Sequence, residues 1–385
     1  MTDRDPERDS DPDAAPEPVY DFLPGVPPVT DEAIESAVSA VRADGVDAAA
    51  WDAHLDERVR RIRSDPGLRE RVERSFRDAG VTLVSPTVMS TDPRLSFVEG
   101  VYRDLARWQA RFETFDWLER VTSPERARRA VAAGKVGVVL NTQNLGGFTR
   151  GDRQGVDVLF NAGVRSMQLT YNRQNEVGAG CIEPSGSGLS THGRAVVDRL
   201  NDLGAVVDLS HCGKQTTLDA IERSEDPVAV THAHCGALVD SPRATSDEEL
   251  RALADADGYM GVLVYPTLYD DPTFETVCEH LDHAVSILGP DGVGVATDWG
   301  MTTPDVPDSM RPGLLAFWRE QTGMTENSDH DPLTMSMFEG SVGRFETYDD
   351  RPAIREEFEK RGYDEDEVAG FLGRNFLSFW ERVAG

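Results

Sequence analysis

A single (β/α)₈ barrel of the α/β class is the fold the sequence predicts, and three observations predict it. Seven short β-branched runs recur along the chain, each bounded by Gly or Pro. Stretches with helical periodicity separate them, several ending at Gly. The runs are nearly continuous in apolar residues, the pattern of a parallel sheet covered on both faces. An open doubly wound sheet shares these features and is the alternative.

Residues 1 to about 18 (MTDRDPERDSDPDAAPEP) combine Pro, Asp and Glu with almost nothing to bury, and read as a solvated acidic tail without the apolar region of a signal peptide. A first strand follows near Pro18–Phe22. Thr30 or Asp31 can cap a helix through Val41, with Ile34, Ala37, Val38 and Val41 on one face and Gly45 beyond its end. The seven runs are VTLVS (81–85), VGVVL (136–140), VRSMQLTY (164–171), AVVDLSH (205–211), VAVTH (228–232), YMGVLVY (259–265) and VGVAT (293–297). With the first strand they make eight βα units. RAVVDRLNDLG (194–204) and EELRALADADG (248–258) are two of the intervening amphipathic helices. Residues 299–345 break the alternation and read as an irregular insertion, either a cover over the barrel mouth or an oligomer contact. One domain over residues 19–385 accommodates everything after the tail.

Composition narrows the partners. The chain has 39 basic and 69 acidic residues, a net charge of −30 that repels phosphate backbones and anionic lipid headgroups. Only Lys135, Lys214 and Lys360 are lysines. Lysine scarcity with excess Asp and Glu suits a protein soluble in concentrated salt, where screening removes self-repulsion. A salt-loving cytoplasm is the expected habitat, an acidic mesophilic protein the alternative. Cys181, Cys212, Cys235 and Cys278 form no C-x-x-C pair, which fits a reduced compartment and a packing role. No apolar run approaches the roughly 20 residues that span a bilayer. The C-terminal FLSFWERVAG reads as the end of a packed amphipathic helix and not as an anchor signal.

Reactive groups in such a barrel stand at the C-terminal ends of strands. Those ends carry Gln143, Tyr171, His211, His232, Tyr265 and Asp298. Two histidines ending successive strands are the strongest chemical signal, since neutral imidazoles converging on one mouth are common zinc ligands. Two hydrogen-bonded core histidines are the bland reading of the same residues. Asp298, in GVGVATDWG, can move a proton between water and a leaving amine, or simply cap a helix. Arg243, in DSPRATSDEEL, can hold a substrate carboxylate by a two-point contact, or pair with an acidic neighbour. Glu183 can face the pocket or solvent. His234 reads as a loop residue, and His54, His192, His280, His283 and His330 as solvated surface.

The stretches GVRSMQLTYNRQNEVG, GLSTHGRAVVDRLNDLGAVVDLSHCG, PVAVTHAHCGALVDSPRATSDEELRALADADGYMGV, GVGVATDWG and GFLGRNFLSFW, in that order between about Gly134 and Val383, resemble the renal (membrane) dipeptidase family. That resemblance implies a barrel of the metal-dependent hydrolase type that cleaves dipeptides with two bridged zinc ions, often as a homodimer. By position, His211 and His232 match the histidines that bind one metal. Arg243 matches the carboxylate-binding arginine, and Asp298 the acid–base aspartate.

Three positions depart from the pattern. The family's H-x-D ligand pair falls on Leu23 and Gly25 in VYDFLPGV, its bridging glutamate is Gln143, and the histidine of its LTHN is Tyr171 in LTYN. The expectation is a hydrolase of dipeptides or dipeptide-like small amides with one zinc ion, its second site lost. His211 and His232 then need a third ligand, with Asp298, Glu183 or Gln143 as candidates. Tyr171 and Gln143 are expected to face the substrate, Tyr171 as a donor to the tetrahedral intermediate. Altered, non-peptidase chemistry on an amino-acid derivative, or binding of a small carboxylate without catalysis, are the alternatives.

Overall fold

The structure, a computed structural model, describes residues 17–22, 47–89, 95–149, 152–184, 186–264, 273–298 and 352–385. The helix expected over 30–41, the insertion at 299–345, most of the acidic tail, Leu23, Gly25, Tyr265 and His330 lie outside them, as does the side chain of His54.

Each apolar run forms a strand, and every pairing between them is parallel. The strands are β1 (Tyr20–Phe22), β2 (Leu83–Ser85), β3 (Leu118–Arg120), β4 (Val136–Val138), β5 (Leu140–Thr142), β6 (Val164–Gln168), β7 (Val206–Asp208), β8 (Ala229–Cys235), β9 (Ala244–Thr245), β10 (Tyr259–Leu263) and β11 (Val293–Ala296). They run as β1-β2-β4-β3 and as β11-β10-β8-β7-β6-β5, with the short β9 added to β8. β4 and β5 are one strand interrupted at Val139, so the two sheets share a stave. A bridge from Thr87 to Asn141 and the Asn141 side-chain amide on the Ser85 carbonyl (2.6 Å) continue that join. At the other seam Thr297, just past β11, donates its backbone N–H (3.2 Å) and its hydroxyl to the carboxylate of Asp21 in β1. First and last staves are thereby tied, and the architecture is the α/β barrel the sequence predicts. The strand at Leu118–Arg120, which pairs with β4, was not expected.

Helices enter where the sequence offers caps. Ser96 and Ser246 form reciprocal capping boxes with Glu99 and Glu249, and Ser190 caps Thr191–Leu203, which stops at Gly204 in the left-handed region. The last helix, Asn375–Ala384, plugs the N-terminal end of the barrel. Its Phe376 stacks on Tyr20 with ring centroids 3.9 Å apart and meets the edge of Tyr259, two residues that open their strands. Gly373, one turn earlier, has to be glycine, because a Cβ there would stand 2.5 Å from both the Pro18 carbonyl oxygen and the Tyr20 nitrogen. With the bottom filled by apolar side chains, the polar groups are left to the opposite, C-terminal face.

Candidate active site at the C-terminal face of the barrel

Short strands and tight turns place the reactive side chains. β7 ends at Asp208, and the chain turns through Ser210 so that His211 takes φ +61°, a conformation disfavoured for a side chain of that size. Asn172, after β6, has φ +58° and Asp298, after β11, has φ +50°. Three of the four non-glycine residues with positive φ among the described residues therefore cluster at this mouth, as strained backbone does at working sites.

The two imidazoles that end successive staves meet. Their Nε2 atoms are 3.0 Å apart, and the Gln143 amide nitrogen lies 3.2 Å from that of His232. His211 donates from Nδ1 to the side-chain Oδ1 of Asn172 at 2.6 Å. His232 Nδ1 lies 2.9 Å from the Thr231 hydroxyl, which itself donates to Asp208 at 2.7 Å. Each Nδ1 thus faces an oxygen acceptor, which leaves the Nε2 lone pairs directed into the pocket. Both rings are buried, and burial together with the nearby Arg243 charge holds both well below the ordinary histidine pKa, so they are neutral at pH 7.

Tyr171 stacks on His211 with centroids 4.4 Å apart and planes inclined by 27°. Burial, then the Asp298 charge, raises its phenol above the ordinary value, so it stays a donor. Asp298 itself is pushed up to about 7, chiefly by burial, with Asp21 adding to the rise and Arg243 opposing it. Arg243 is 6% exposed and its charge reaches Tyr171, Cys181, both imidazoles and Asp298. It donates to the His232 carbonyl at 3.1 Å, and among the described residues it has no ion pair. β9 against β8 and the Ser246–Glu249 cap together fix the short loop that carries it.

Other positions fall elsewhere. Glu183 accepts from the Gln174 backbone N–H in its own loop at 2.8 Å, which engages its carboxylate away from the imidazoles. His234, expected in a loop, belongs to β8, and both it and His280, expected at the surface, are buried and meet edge to face with centroids 5.8 Å apart. The strand continues past His232, but its register against β10 slips by one residue between Val230 and Ala233, so the simple alternation is broken there and His234 meets His280 of the helix Phe274–Leu288, which accepts from the Cys235 N–H. His283 is half-buried and pairs with Asp247 at 2.8 Å. Asp21, Asp208, Thr231 and Asn172 escaped the sequence reading. Their only signal was a short polar residue beside an apolar run, and the interactions that give them meaning span up to 276 positions in the chain.

Residues 30–317 match the model of membrane dipeptidase, peptidase family M19. The chain belongs to the membrane dipeptidase family. This family match begins beyond VYDFLPGV, the stretch without the H-x-D pair. Among similar proteins, an uncharacterized protein in the pqqA 5′ region of Klebsiella pneumoniae is 29% identical over 182 residues, 44% of this chain and 67% of that protein. The dipeptidase verJ of Clonostachys rogersoniana is 30% identical over 179 residues, 44% of this chain and 46% of that protein. The alignment with the latter thus spans less than half of its length. The crystal structure of an amidohydrolase from Pseudomonas aeruginosa superposes with a TM-score of 0.69 at 29% identity, over 81% of this chain and 92% of that one.

This metallopeptidase family uses zinc, and the donor set decides what the pocket can hold. Among the described residues no group of three or more His, Cys, Asp or Glu side chains is placed to share a cation. The donor chemistry at the two imidazoles suits a divalent cation. Two neutral imidazoles present their Nε2 atoms 3.0 Å apart, and the Gln143 carboxamide is the third polar group in reach.

Proposed function

We propose that this member of the family hydrolyses a dipeptide or dipeptide-like small amide, with one divalent cation on His211 and His232 and Gln143 as the third group. The observation that carries this reading is the convergence of the two neutral imidazoles beside Arg243 and Asp298. Arg243 binds the substrate's terminal carboxylate with the N–H donors left over from His232. A cation in the site supplies Lewis-acid stabilisation of developing negative charge. Asp298, with a pKa of about 7, accepts a proton from the attacking water as its oxygen bonds to the amide carbon. The same carboxyl then gives that proton to the departing nitrogen as the C–N bond breaks. Tyr171, held protonated, donates to the oxyanion. No helix among the described residues is long and apolar enough to cross a membrane. We infer from composition that the enzyme works in the salt-rich cytoplasm of its host, on a small molecule.

One observation favours a second reading. As the Gln143 amide nitrogen points at His232, it can donate to that Nε2 lone pair in the place of a cation. That arrangement suits a site whose chemistry needs no metal, or one that binds a carboxylate without turnover. A dipeptide panel in high salt separates the readings. Turnover abolished by a chelator and restored by zinc supports the first; turnover indifferent to chelators, or binding without turnover, overturns it.

A further inference from the structure

The two imidazoles are supported by different devices, and the difference carries an inference that rests on the single-cation reading above. His211 leans on a neutral amide, Asn172 Oδ1. His232 leans on a hydroxyl that is itself tied to a buried carboxylate. Asp208 is 1% exposed and has no cationic partner among its hydrogen bonds. It accepts the Ser210 N–H at 3.0 Å, the Thr231 N–H at 3.3 Å and the Thr231 hydroxyl at 2.7 Å. The Thr231 oxygen, its proton committed to Asp208, is left with lone pairs for His232 Nδ1 at 2.9 Å and the Ser210 hydroxyl at 3.1 Å. Ser210 in turn accepts the His232 backbone N–H at 3.0 Å. With Asp208 ionised, these contacts are satisfied by protons that run in one direction, from imidazole to hydroxyl to carboxylate.

We propose that Thr231 is a positioning residue, a relay through which the buried Asp208 carboxylate fixes His232 as the Nδ1–H tautomer and strengthens Nε2 as a donor to the cation. Outer partners of ligating histidines ordinarily act by direct carboxylate or carbonyl contact and typically change metal affinity by about 10- to 100-fold. Here a hydroxyl is interposed, because Thr231 precedes His232 where the β8 ladder slips by one residue, and its hydroxyl stands within hydrogen-bond reach of both Asp208 on β7 and His232 Nδ1. The register pairs Asp208 with Ala229, two residues before Thr231, which sets the carboxylate beside the hydroxyl.

Two measurements test the relay. In protein labelled with ¹⁵N-histidine, long-range ¹H–¹⁵N spectra report the tautomer without any metal. The Nδ1–H form of His232 is expected in the wild type and in Thr231→Ser, and a mixture in Thr231→Val. A wild-type His232 protonated at Nε2 overturns the relay. Zinc affinity by competition with a chromophoric chelator is the second readout. Thr231→Val and Asp208→Asn are expected to weaken it by about 10- to 100-fold, with Thr231→Ser within about threefold of wild type. Thr231→Val binding zinc as tightly as wild type overturns the relay's effect on affinity. Should the tautomer be as expected while wild type takes no zinc, the single-cation reading of the site falls and only the hydrogen-bond relay stands. Thr231→Ser guards against a misfolded valine variant, since it keeps the hydroxyl.

Discussion

Asp298 sits where three influences compete. Burial raises its carboxyl to about 7, Asp21 adds to the rise, and Arg243 works against it. In the unfolded chain the same group titrates near 3.8. The folded state therefore holds a proton that the unfolded state has lost between roughly pH 4 and 7, so this residue's contribution favours folding at low pH and declines as pH rises through 7. Asp298→Asn is expected to gain stability relative to wild type above pH 7 and to lose that advantage below about pH 4, in thermal melts across the range. The same substitution should lower kcat/KM by about 10²- to 10⁴-fold and remove an inflection near pH 7 from its profile. An unchanged inflection would assign the titration to another group. Arg243→Lys tests a different contact. A lysine supplies charge but not the planar fork, so KM should rise by about tenfold or more with a smaller change in kcat. Equal loss in both parameters would place Arg243 in the chemistry instead of in substrate capture.

At the scale of elements, the barrel's two ends divide the labour. The C-terminal helix fills the lower end, where Phe376 and Trp380 are 1% exposed and Phe376 lies flat on Tyr20. Phe376→Ala removes that stack and leaves a cavity, with an expected cost of about 3–5 kcal/mol in urea unfolding. A loss under about 1 kcal/mol would mean that the helix does not hold the first strand. At the upper end the loops carry strain that the strands beneath must tolerate. Gly180 shows how closely they pack: a Cβ there would fall 2.2 Å from the backbone of Asn172, the residue that orients His211. Side-chain identity at one loop thus decides imidazole geometry on the neighbouring stave.

For the whole molecule the dominant fact is a net charge of −30. Exposed pairs such as Arg74–Glu70 and Arg129–Glu125 offset a little of it, but each is worth only about 0.2–1 kcal/mol and acidic groups outnumber basic ones by 69 to 39. Long-range repulsion should win at low ionic strength and fade once the Debye length falls to about 3 Å near 1 M salt. The melting temperature is accordingly expected to rise between about 0.1 and 2 M KCl. A flat or falling curve would show that local ion pairs outweigh net repulsion, and would remove the argument for a salt-rich host.

Periodicity located the staves of this barrel apart from Leu118–Arg120, because burial on both faces of a parallel sheet demands continuous apolar runs and the helices between them demand a stripe, but closure and the pairing order came only with the structure. Periodicity also placed Gln143, Tyr171, His211, His232 and Asp298 at strand ends, where side chains of neighbouring staves must share one mouth. What it did not disclose is how those groups are held. His234 read as a loop residue because the end of its strand and the register slip before it are unmarked in the sequence, and His280 as surface because the face its helix turns to that strand is set by packing. The Asp21–Thr297 tie and the Asp208–Thr231–His232 chain were equally silent in one dimension. Hydrogen bonds acquire their partners only when distant segments are brought within 3 Å, and that proximity is a property of the packed sheet.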